Sequence, residues 1–353
     1  MTAGHASLQI RGREWKRLSP ARREVVSFAA FRYWRERGFP HYELTQSDIV
    51  RELKCLMAQP PLAAFTPDGA LGSVLGLRVA SFFHPHMWSV RVSRYRSPMD
   101  VYLDDDLLLA ALKRAWTVWP DRFGANASCL RRMLKTFPGT ASVSNFRPTL
   151  ARAIASRYSP PGGVVIDFAA GFGGRLLGCL TLDREYIGIE PSTRQMNGLR
   201  RTVRVLGCTG ILPGRAVLHQ GCAEDVLGTF LSVKAQLVFS SPPYYDWERY
   251  SRQPNQSYIR YRSYDEWVRG FLVPVIDQSY RMLDSEGRLV LNVSNGQRLP
   301  APEIVEHLAK RSGFAVVERV PLLLARVPYL HPRSNGPFKP ELLMVFRKRR
   351  RAR

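Results

Sequence analysis

Short apolar runs alternate with longer amphipathic stretches from about residue 145 to the end of the chain. Such runs, bounded by turn residues, are typical of buried strands, and most of the stretches between them have the length and apolar spacing of helices. The pattern predicts seven strands, over 164–168, 186–190, 216–220, 236–240, 288–292, 315–319 and 342–347. It also predicts four helices, over 173–182, 193–206, 264–283 and 302–311. This alternation predicts an α/β fold whose parallel sheet carries helices on both faces and ends in a hairpin.

Before residue 140 the pattern is mainly helical, with helices predicted over 20–37, 46–57 and 104–116. The first helix is marked at both ends, because Ser19 is a good N-cap and Gly38 can take the left-handed conformation that ends a helix. The short connector between the first two helices indicates a helix-turn-helix, and the alternative is that these basic helices only solvate a surface. The sequence therefore predicts a mainly helical region over 1–140, an α/β domain over 141–348 and a basic tail over 349–353.

The chain of 353 residues carries a formal net charge of +23, which predicts a polyanionic partner, with nucleic acid the leading candidate. The first 40 residues hold nine Lys or Arg against three Glu, so part of the excess lies in the helical region. The basic tail would add affinity for phosphate groups without reading a sequence, although a tail that only improves solubility has the same composition.

Other compositional features bear on location and metal binding. No apolar run approaches the roughly 20 residues that span a membrane, and the N-terminus does not resemble a signal peptide, so a cytoplasmic location without membrane association is predicted. The five cysteines are scattered without a CxxC pair, and His84-Pro85-His86 is the only histidine cluster. We therefore predict neither a disulfide framework nor a metal site.

Ser241-Pro242-Pro243-Tyr244 follows the predicted strand over 236–240 directly. The two prolines hold the backbone rigid and lack an N–H, so nearby carbonyl groups can point at a ligand, while the tyrosine ring offers a flat stacking surface. Such a pocket suits a flipped-out nucleobase whose exocyclic amino group needs hydrogen-bond acceptors. The alternative is that Pro-Pro merely ends a strand and Tyr244 packs under a loop.

A glycine-rich turn follows the first predicted strand of the α/β domain, and its candidate residues are Asp167, Ala169, Gly171 and Gly173. Glycines there allow a ligand to approach the backbone closely. Glu190 ends the next predicted strand and is placed to accept hydrogen bonds from both hydroxyl groups of a ribose. A dinucleotide-binding fold would show the same pattern, so these residues predict an adenosine-type cofactor without selecting one.

The three features, in this order, resemble the DNA methyltransferases that use S-adenosyl-L-methionine to methylate exocyclic amino groups of cytosine or adenine, and phage-type DNA methylases in particular. The resemblance covers about residues 144–348 and implies a Rossmann-like, seven-stranded methyltransferase sheet. Its carriers are Asn145-Phe146-Arg147-Pro148, the segment 167–175, Glu190, Ser241-Pro242-Pro243-Tyr244 and Lys339-Pro340-Glu341.

The resemblance implies a role for each part of the cofactor site. The glycine turn would hold the methionine part of S-adenosylmethionine, Glu190 its ribose, and Cys222 or Ala223 its adenine, while Phe146 would pack nearby. The adenine position departs from the commoner pattern, in which an Asp follows the strand, since this chain has Gly221-Cys222-Ala223-Glu224. Either Glu224 or backbone amides would then take that role.

For catalysis the resemblance implies that Ser241 and the carbonyl of Pro242 accept hydrogen bonds from the target amino group, in the turn that Pro243 completes, while Tyr244 stacks on the flipped base. A serine in the first position favours cytosine N4, and adenine N6 is the alternative. Candidate substrate-binding residues on the following loop are Tyr245, Asp246 and Glu248.

Target recognition is expected in residues 1–140 or from a partner, because only about 70 residues separate Gly171 from Ser241 and the predicted sheet runs almost to the C-terminus. The expected partner is double-stranded DNA, and restriction or defence proteins are candidates. Other interpretations are an RNA or protein-amide methyltransferase and a nucleic-acid-binding protein without catalytic activity.

Overall fold

A computed structural model describes residues 10, 12–118, 126–294, 302–325 and 338–349. These residues form two compact units. The first unit contains residues 10, 12–43, 85–118 and 126–143, and the second contains residues 44–84 together with the described residues from 144 onward. Among the described residues, no helix combines the length and the apolar character that crossing a membrane requires.

The first unit is helical, as predicted, and its described helices are Gly12–Arg17, Pro20–Arg37, Pro98–Leu103, Asp105–Val118 and Ala127–Thr136, with a 3₁₀ turn over Pro85–Ser89 and a two-residue strand, Arg91–Val92. The predicted N-cap is confirmed, since the Ser19 side chain accepts from the Arg22 N–H. Gly38 ends the helix as predicted, but with φ 88° and ψ −178° it has a positive φ outside the predicted left-handed helical conformation. In the core, Trp15 stacks on Trp116 at a centroid distance of 4.7 Å. This aromatic packing joins the helix Gly12–Arg17 to the helix Asp105–Val118.

The helix Gln46–Ala58 is also present where the sequence predicts it, with a capping box between Thr45 and Asp48. It belongs to the second unit, however, where Leu53 and Leu56 are buried in a cluster with Leu177. The helix-turn-helix interpretation is therefore wrong, because its two helices belong to different units. Residues 44–84, which the sequence-based division places in the helical region, are grouped by the structure with the sheet.

All seven predicted strands of the second unit are confirmed. In chain order they are β1 Gly163–Asp167, β2 Arg184–Glu190, β3 Arg215–Gln220, β4 Ala235–Ser240, β5 Leu283–Ser294, β6 Phe314–Ala325 and β7 Phe338–Lys348. They pair in the order β6-β7-β5-β4-β1-β2-β3, and β7 runs antiparallel to both of its neighbours while the other strands are parallel. The predicted closing hairpin is β6 and β7. A two-residue hairpin, Phe65–Thr66 and Gly69–Ala70, extends the β6 edge.

Helices flank this sheet on both faces. Besides Gln46–Ala58, the described helices are Leu77–Phe82, Pro148–Tyr158, Gly174–Leu180, Thr193–Gly207, Ala223–Val226, Ser257–Arg260, Tyr264–Trp267, Val273–Met282 and Pro302–Arg311, with 3₁₀ turns over Pro61–Ala64 and Leu227–Phe230. The helix predicted over 264–283 is interrupted by a π turn, Val268–Leu272. Pro274 explains the interruption, because it lacks the N–H that a regular helix would direct at Gly270.

The strand order determines where a ligand can bind. From β1 the chain proceeds outward to β2 and β3, and then returns to place β4 on the other side of β1. Open α/β sheets bind ligands at such a reversal, at the carboxyl ends of the strands. The segments that follow β1 and β4 therefore meet at one edge of the sheet, and these are the glycine-rich turn and the Ser241–Tyr244 turn.

Candidate active site

The glycine-rich turn after β1 is held in place by the segment that precedes Pro148–Tyr158. Gly173 has φ 75° and begins the helix Gly174–Leu180 from a left-handed conformation. A Cβ on Gly174 would lie 1.9 Å from the Phe146 carbonyl oxygen, so only glycine allows that approach. Asn145 completes the attachment, because its side chain accepts from the Gly174 N–H at 3.0 Å and donates to the Phe172 carbonyl at 2.8 Å.

Asp167 ends β1 with a fully buried carboxylate. This carboxylate accepts hydrogen bonds from Arg175 Nε at 2.7 Å, Tyr186 Oη at 2.7 Å and Ser240 Oγ at 2.8 Å. It also accepts from the Ala169 N–H within the turn, at 3.2 Å. The Asp167 side chain therefore ties the turn to β2 and β4, and any contact with a cofactor on this side is left to the backbone of the turn.

Arg175 is a residue of the site that sequence reasoning did not single out. Its buried guanidinium forms an ion pair with Asp167, donates through Nη1 to Ser241 Oγ at 3.1 Å, and donates through Nη2 to the Ala169 carbonyl. The guanidinium lies 5.7 Å from the centroid of the Phe146 ring, which is thus near the site as expected. The available signal was a charged residue within the otherwise apolar helix that follows the turn.

Glu190 lies at the carboxyl end of β2, as predicted, and is 5% exposed. Its Oε2 accepts from the Gly171 N–H and its Oε1 from the Ser192 N–H, each at 2.9 Å. Burial raises the pKa of this carboxyl from 4.5 to about 7, against the lowering effect of the two backbone donors. Each oxygen can accept a second hydrogen bond, so a fixed pair of acceptors faces the turn.

Cys222 and Ala223 follow β3 and are both buried. Cys222 precedes the short helix Ala223–Val226, and burial raises the pKa of its thiol. Glu224, the alternative candidate for adenine recognition, accepts from Tyr261 Oη at 2.6 Å and lies 3.3 Å from Arg260 Nε. Because its carboxylate is already engaged by these two side chains, the geometry favours the backbone at 222–223 for that role.

Ser241-Pro242-Pro243-Tyr244 follows β4, next to Arg175, and Pro242 is buried while the other three residues are half-buried. The Ser241 hydroxyl receives two donors, Arg175 Nη1 at 3.1 Å and Asn292 Nδ2 at 3.3 Å. A serine oxygen has two lone pairs. Both lone pairs of Ser241 therefore already accept hydrogen bonds, so acceptance from the target amino group, which stays a prediction, would require one of these two donors to move. Burial raises the pKa of Tyr244 well above its ordinary value, which keeps the phenol neutral.

The three candidate substrate residues on the following loop differ in their surroundings. Tyr245 has a left-handed φ of 45°, and its ring packs against Tyr264 and Trp267, which favours a structural role. Asp246 is half-buried. Glu248 accepts a hydrogen bond from the half-buried Tyr250. The pKa of Tyr250 is raised well above its ordinary value, first by desolvation and then by the charge of Glu248.

The same loop then passes over the carboxyl end of β2, an arrangement that sequence reasoning missed. Gln253 accepts from the Thr193 N–H at 3.0 Å, and Asn255 donates to the Pro191 carbonyl at 2.8 Å. Tyr250 packs edge-on against Phe172 of the glycine-rich turn, with centroids 5.7 Å apart. The loop therefore covers the carboxyl end of β2 and contacts the glycine-rich turn. Among the residues that the structure describes, no cluster of His, Cys, Asp or Glu is arranged to bind a metal ion.

No protein-family model matches this chain, and no curated protein matches it either. Similar solved structures include TrmN from Thermus thermophilus, at 17% identity and a TM-score of 0.37 over 57% of this chain and 49% of that one. A SAM-dependent methyltransferase from Agrobacterium tumefaciens is similar at 12% identity and a TM-score of 0.41, over 60% of this chain and 66% of that one. The chain thus covers less than two thirds of either protein.

A third similar structure is magnesium protoporphyrin IX methyltransferase from Synechocystis with bound SAM, at 11% identity and a TM-score of 0.38. It matches 57% of this chain and 76% of its own. Every one of these TM-scores is below 0.5, so the fold does not rest on them. This chain has the Rossmann-like methyltransferase fold because of its own strand order and its antiparallel β7.

Proposed function

We propose that this chain is an S-adenosylmethionine-dependent DNA methyltransferase that acts on the exocyclic amino group of a flipped-out base, with cytosine N4 favoured. The observation that carries the proposal is the position of the Ser241–Tyr244 turn beside the glycine-rich turn, with Arg175 hydrogen-bonded to both through Ser241 and Ala169. This arrangement would put a bound cofactor next to a base pocket.

The residues present fit S-adenosylmethionine. Glu190, held by two backbone N–H groups, offers fixed acceptors that match a ribose diol. The backbone of the turn at Ala169, Gly171 and Gly173 would hold the methionine part, and the backbone at 222–223 the adenine. The cofactor, when bound, supplies a methyl group on a positively charged sulfur.

Backbone and side-chain groups of this chain would prepare the amino group for attack. The lone pair of an exocyclic amine is delocalised into the base ring, and a backbone acceptor at Pro242 would hold one N–H and favour a geometry that exposes the lone pair. Tyr244 offers the ring on which the base stacks. The carboxylates of Asp167 and Glu341 lie in the same hydrogen-bonded network as Ser241, so they would offset positive charge that develops on the nitrogen.

DNA is proposed as the substrate because of the charge of the chain. The net charge of +23 and the basic residues of the tail favour binding to the phosphate backbone. Sequence recognition is proposed to lie in residues 1–140 or in a partner protein, and a restriction or defence protein is a candidate for that partner.

The proposal can be tested with the purified protein, S-adenosylmethionine carrying a labelled methyl group, and genomic DNA, followed by chromatography of the digested nucleosides. We expect label in N4-methylcytosine, at an initial rate reduced about 10- to 100-fold in Ser241→Ala and unchanged in Ser47→Ala, an exposed serine at the start of the helix Gln46–Ala58. Label in N6-methyladenine would replace the base assignment. Calorimetric binding of the cofactor without DNA labelling would favour an RNA or protein-amide substrate, and no cofactor binding would leave only a non-catalytic nucleic-acid binder.

A further inference from the structure

Two chains of hydrogen bonds meet at the Ser241 hydroxyl. On one side, the Asp167 carboxylate accepts from Arg175, whose Nη1 donates to Ser241 Oγ at 3.1 Å. On the other side, the Glu341 carboxylate accepts from Asn292 Nδ2, which also donates to Ser241 Oγ, both at 3.3 Å. Asn292 lies on β5 and Glu341 on β7, which pair directly, so the sheet itself brings the two side chains together.

The direction of each hydrogen bond follows from the chemistry of its outer partner. Arginine has no acceptor, so Arg175 can only donate to Ser241. A carboxylate oxygen accepts, so Glu341 Oε2 takes the NH₂ group of Asn292, and the same NH₂ group then faces Ser241. Asn292 Oδ1 is buried without a hydrogen-bond partner among the described residues, which is the cost of this orientation.

We propose that Ser241 is thereby held as a hydrogen-bond donor to the target base, and that Arg175, Asn292 and Glu341 are the positioning residues that set this direction. With both lone pairs taken, the hydroxyl proton is the one group that Ser241 can offer to a substrate. Its acceptor on the base is the unprotonated ring nitrogen next to the amino-bearing carbon, which is N3 in cytosine and N1 in adenine. This inference rests on the proposed function and specifies how its pocket reads a base.

The arrangement also determines which bases the site rejects. Ser241 would donate to the ring nitrogen while the carbonyl of Pro242 accepts from the amino group, so the site offers one donor beside one acceptor. Thymine and uracil carry an N–H at the ring position and a carbonyl in place of the amino group, so both hydrogen bonds would be mismatched. An unpaired buried donor facing another donor is strongly unfavourable.

The test uses a DNA duplex that contains the methylated site, with 3-deazacytosine at the target position, or 1-deazaadenine if adenine is the methylated base. These analogues keep the amino group and remove the ring acceptor. We expect the wild-type protein to lose about 10- to 100-fold in kcat/KM on the analogue. Ser241→Ala should lose a similar factor on the natural base and lose little more on the analogue. If the loss in kcat/KM caused by Ser241→Ala and the loss caused by the analogue simply multiply when the two changes are combined, Ser241 does not contact the ring nitrogen. That result would overturn the inference.

Glu341→Gln tests the positioning role while keeping the size and shape of the side chain. A glutamine can donate to Asn292, which allows the Asn292 amide to turn over and accept the Ser241 proton. We therefore expect this variant to lose its preference for the natural base over the deaza analogue. The control is Glu318→Gln on β6, whose carboxylate contacts Tyr158 and Arg157 away from this network, and it should discriminate as the wild type does.

Neutron diffraction from crystals of the deuterated protein reads the direction of the Ser241 hydroxyl without any substrate, so it separates this inference from the proposed function. We expect the deuterium on Ser241 Oγ to point away from both Arg175 and Asn292. A deuterium directed at Asn292 would contradict the inference even if the protein methylates DNA. If the deuterium points away from both residues but the protein modifies no DNA, the donor role of Ser241 is upheld and the proposed DNA substrate is rejected.

Discussion

At the scale of single residues, Arg175 and Asp167 form the buried ion pair on which the site depends, with side-chain exposures of 7% and 0%. Removing one partner of such a pair leaves an uncompensated buried charge. We expect Arg175→Met to lower the free energy of unfolding by about 3–5 kcal/mol in urea titrations. Arg157→Met, which removes a more exposed partner of Glu318, should change it by no more than about 1 kcal/mol. Equal effects of the two changes would show that the buried pair has no special role.

Glu190 should make cofactor binding depend on pH. Burial raises the pKa of this carboxyl from 4.5 to about 7, and a ribose diol donates hydrogen bonds to the ionised form. Binding should therefore release protons near pH 7, and affinity for S-adenosylmethionine should fall as the pH is lowered through that value.

Calorimetry in buffers of different ionisation enthalpy measures the proton release directly. We expect Glu190→Gln to bind about 10- to 100-fold more weakly, because it loses hydrogen bonds to a charged acceptor, and to show no proton release. Proton release that persists in this variant would assign the titration to another group.

At the scale of elements, the strands and helices of the sheet could be predicted because their apolar spacing is a local property of the sequence. The prediction over 264–283 missed the π turn, whose cause, Pro274, is local but whose outcome depends on packing. The predicted strand over 315–319 is observed as Phe314–Ala325, because pairing with β7 continues through Pro321 and beyond. Pairing partners of this kind are distant in sequence.

The candidate site was predicted in part for the same reason. Glu190 and the Ser241–Tyr244 turn are recognisable because each directly follows a strand or ends one. The hydrogen bonds of Ser241 with Arg175 and Asn292, 66 and 51 residues away, depend on which strands are neighbours in the sheet. No local sequence pattern indicates which strands are neighbours in the sheet, so the direction of the Ser241 hydrogen bonds could not be predicted from the sequence.

The attachment of the glycine-rich turn to 145–146 gives a prediction about elements. A Cβ on Gly174 would meet the Phe146 carbonyl oxygen at 1.9 Å, so Gly174→Ala must push these two segments apart. We expect a loss of about 1–3 kcal/mol in stability and at least about tenfold in affinity for S-adenosylmethionine. Gly207→Ala is the control, since a Cβ there meets nothing within 4 Å. Unchanged cofactor binding by Gly174→Ala, measured by calorimetry, would remove this attachment from the account of the site.

At the scale of the whole molecule, the net charge of +23 implies that DNA affinity depends strongly on salt. Arg349, Arg350, Arg351 and Arg353 belong to the basic tail. Deleting 349–353 should weaken DNA binding uniformly across sequences and reduce the slope of log affinity against log salt by about 0.9 for each phosphate group that the shortened chain no longer neutralises. Fluorescence anisotropy over a salt series measures this slope. A slope that the deletion leaves unchanged would mean that the tail serves only solubility.

We propose above all that this chain methylates an exocyclic amino group of a base in DNA. Single-molecule sequencing of DNA from cells that express the chain tests it most directly, with cells that express Ser241→Ala as the reference. We expect N4-methylcytosine at a defined site in the first sample and a much smaller methylated fraction at that site in the second. DNA without any modified base, from cells in which the protein is folded and binds S-adenosylmethionine, would contradict it.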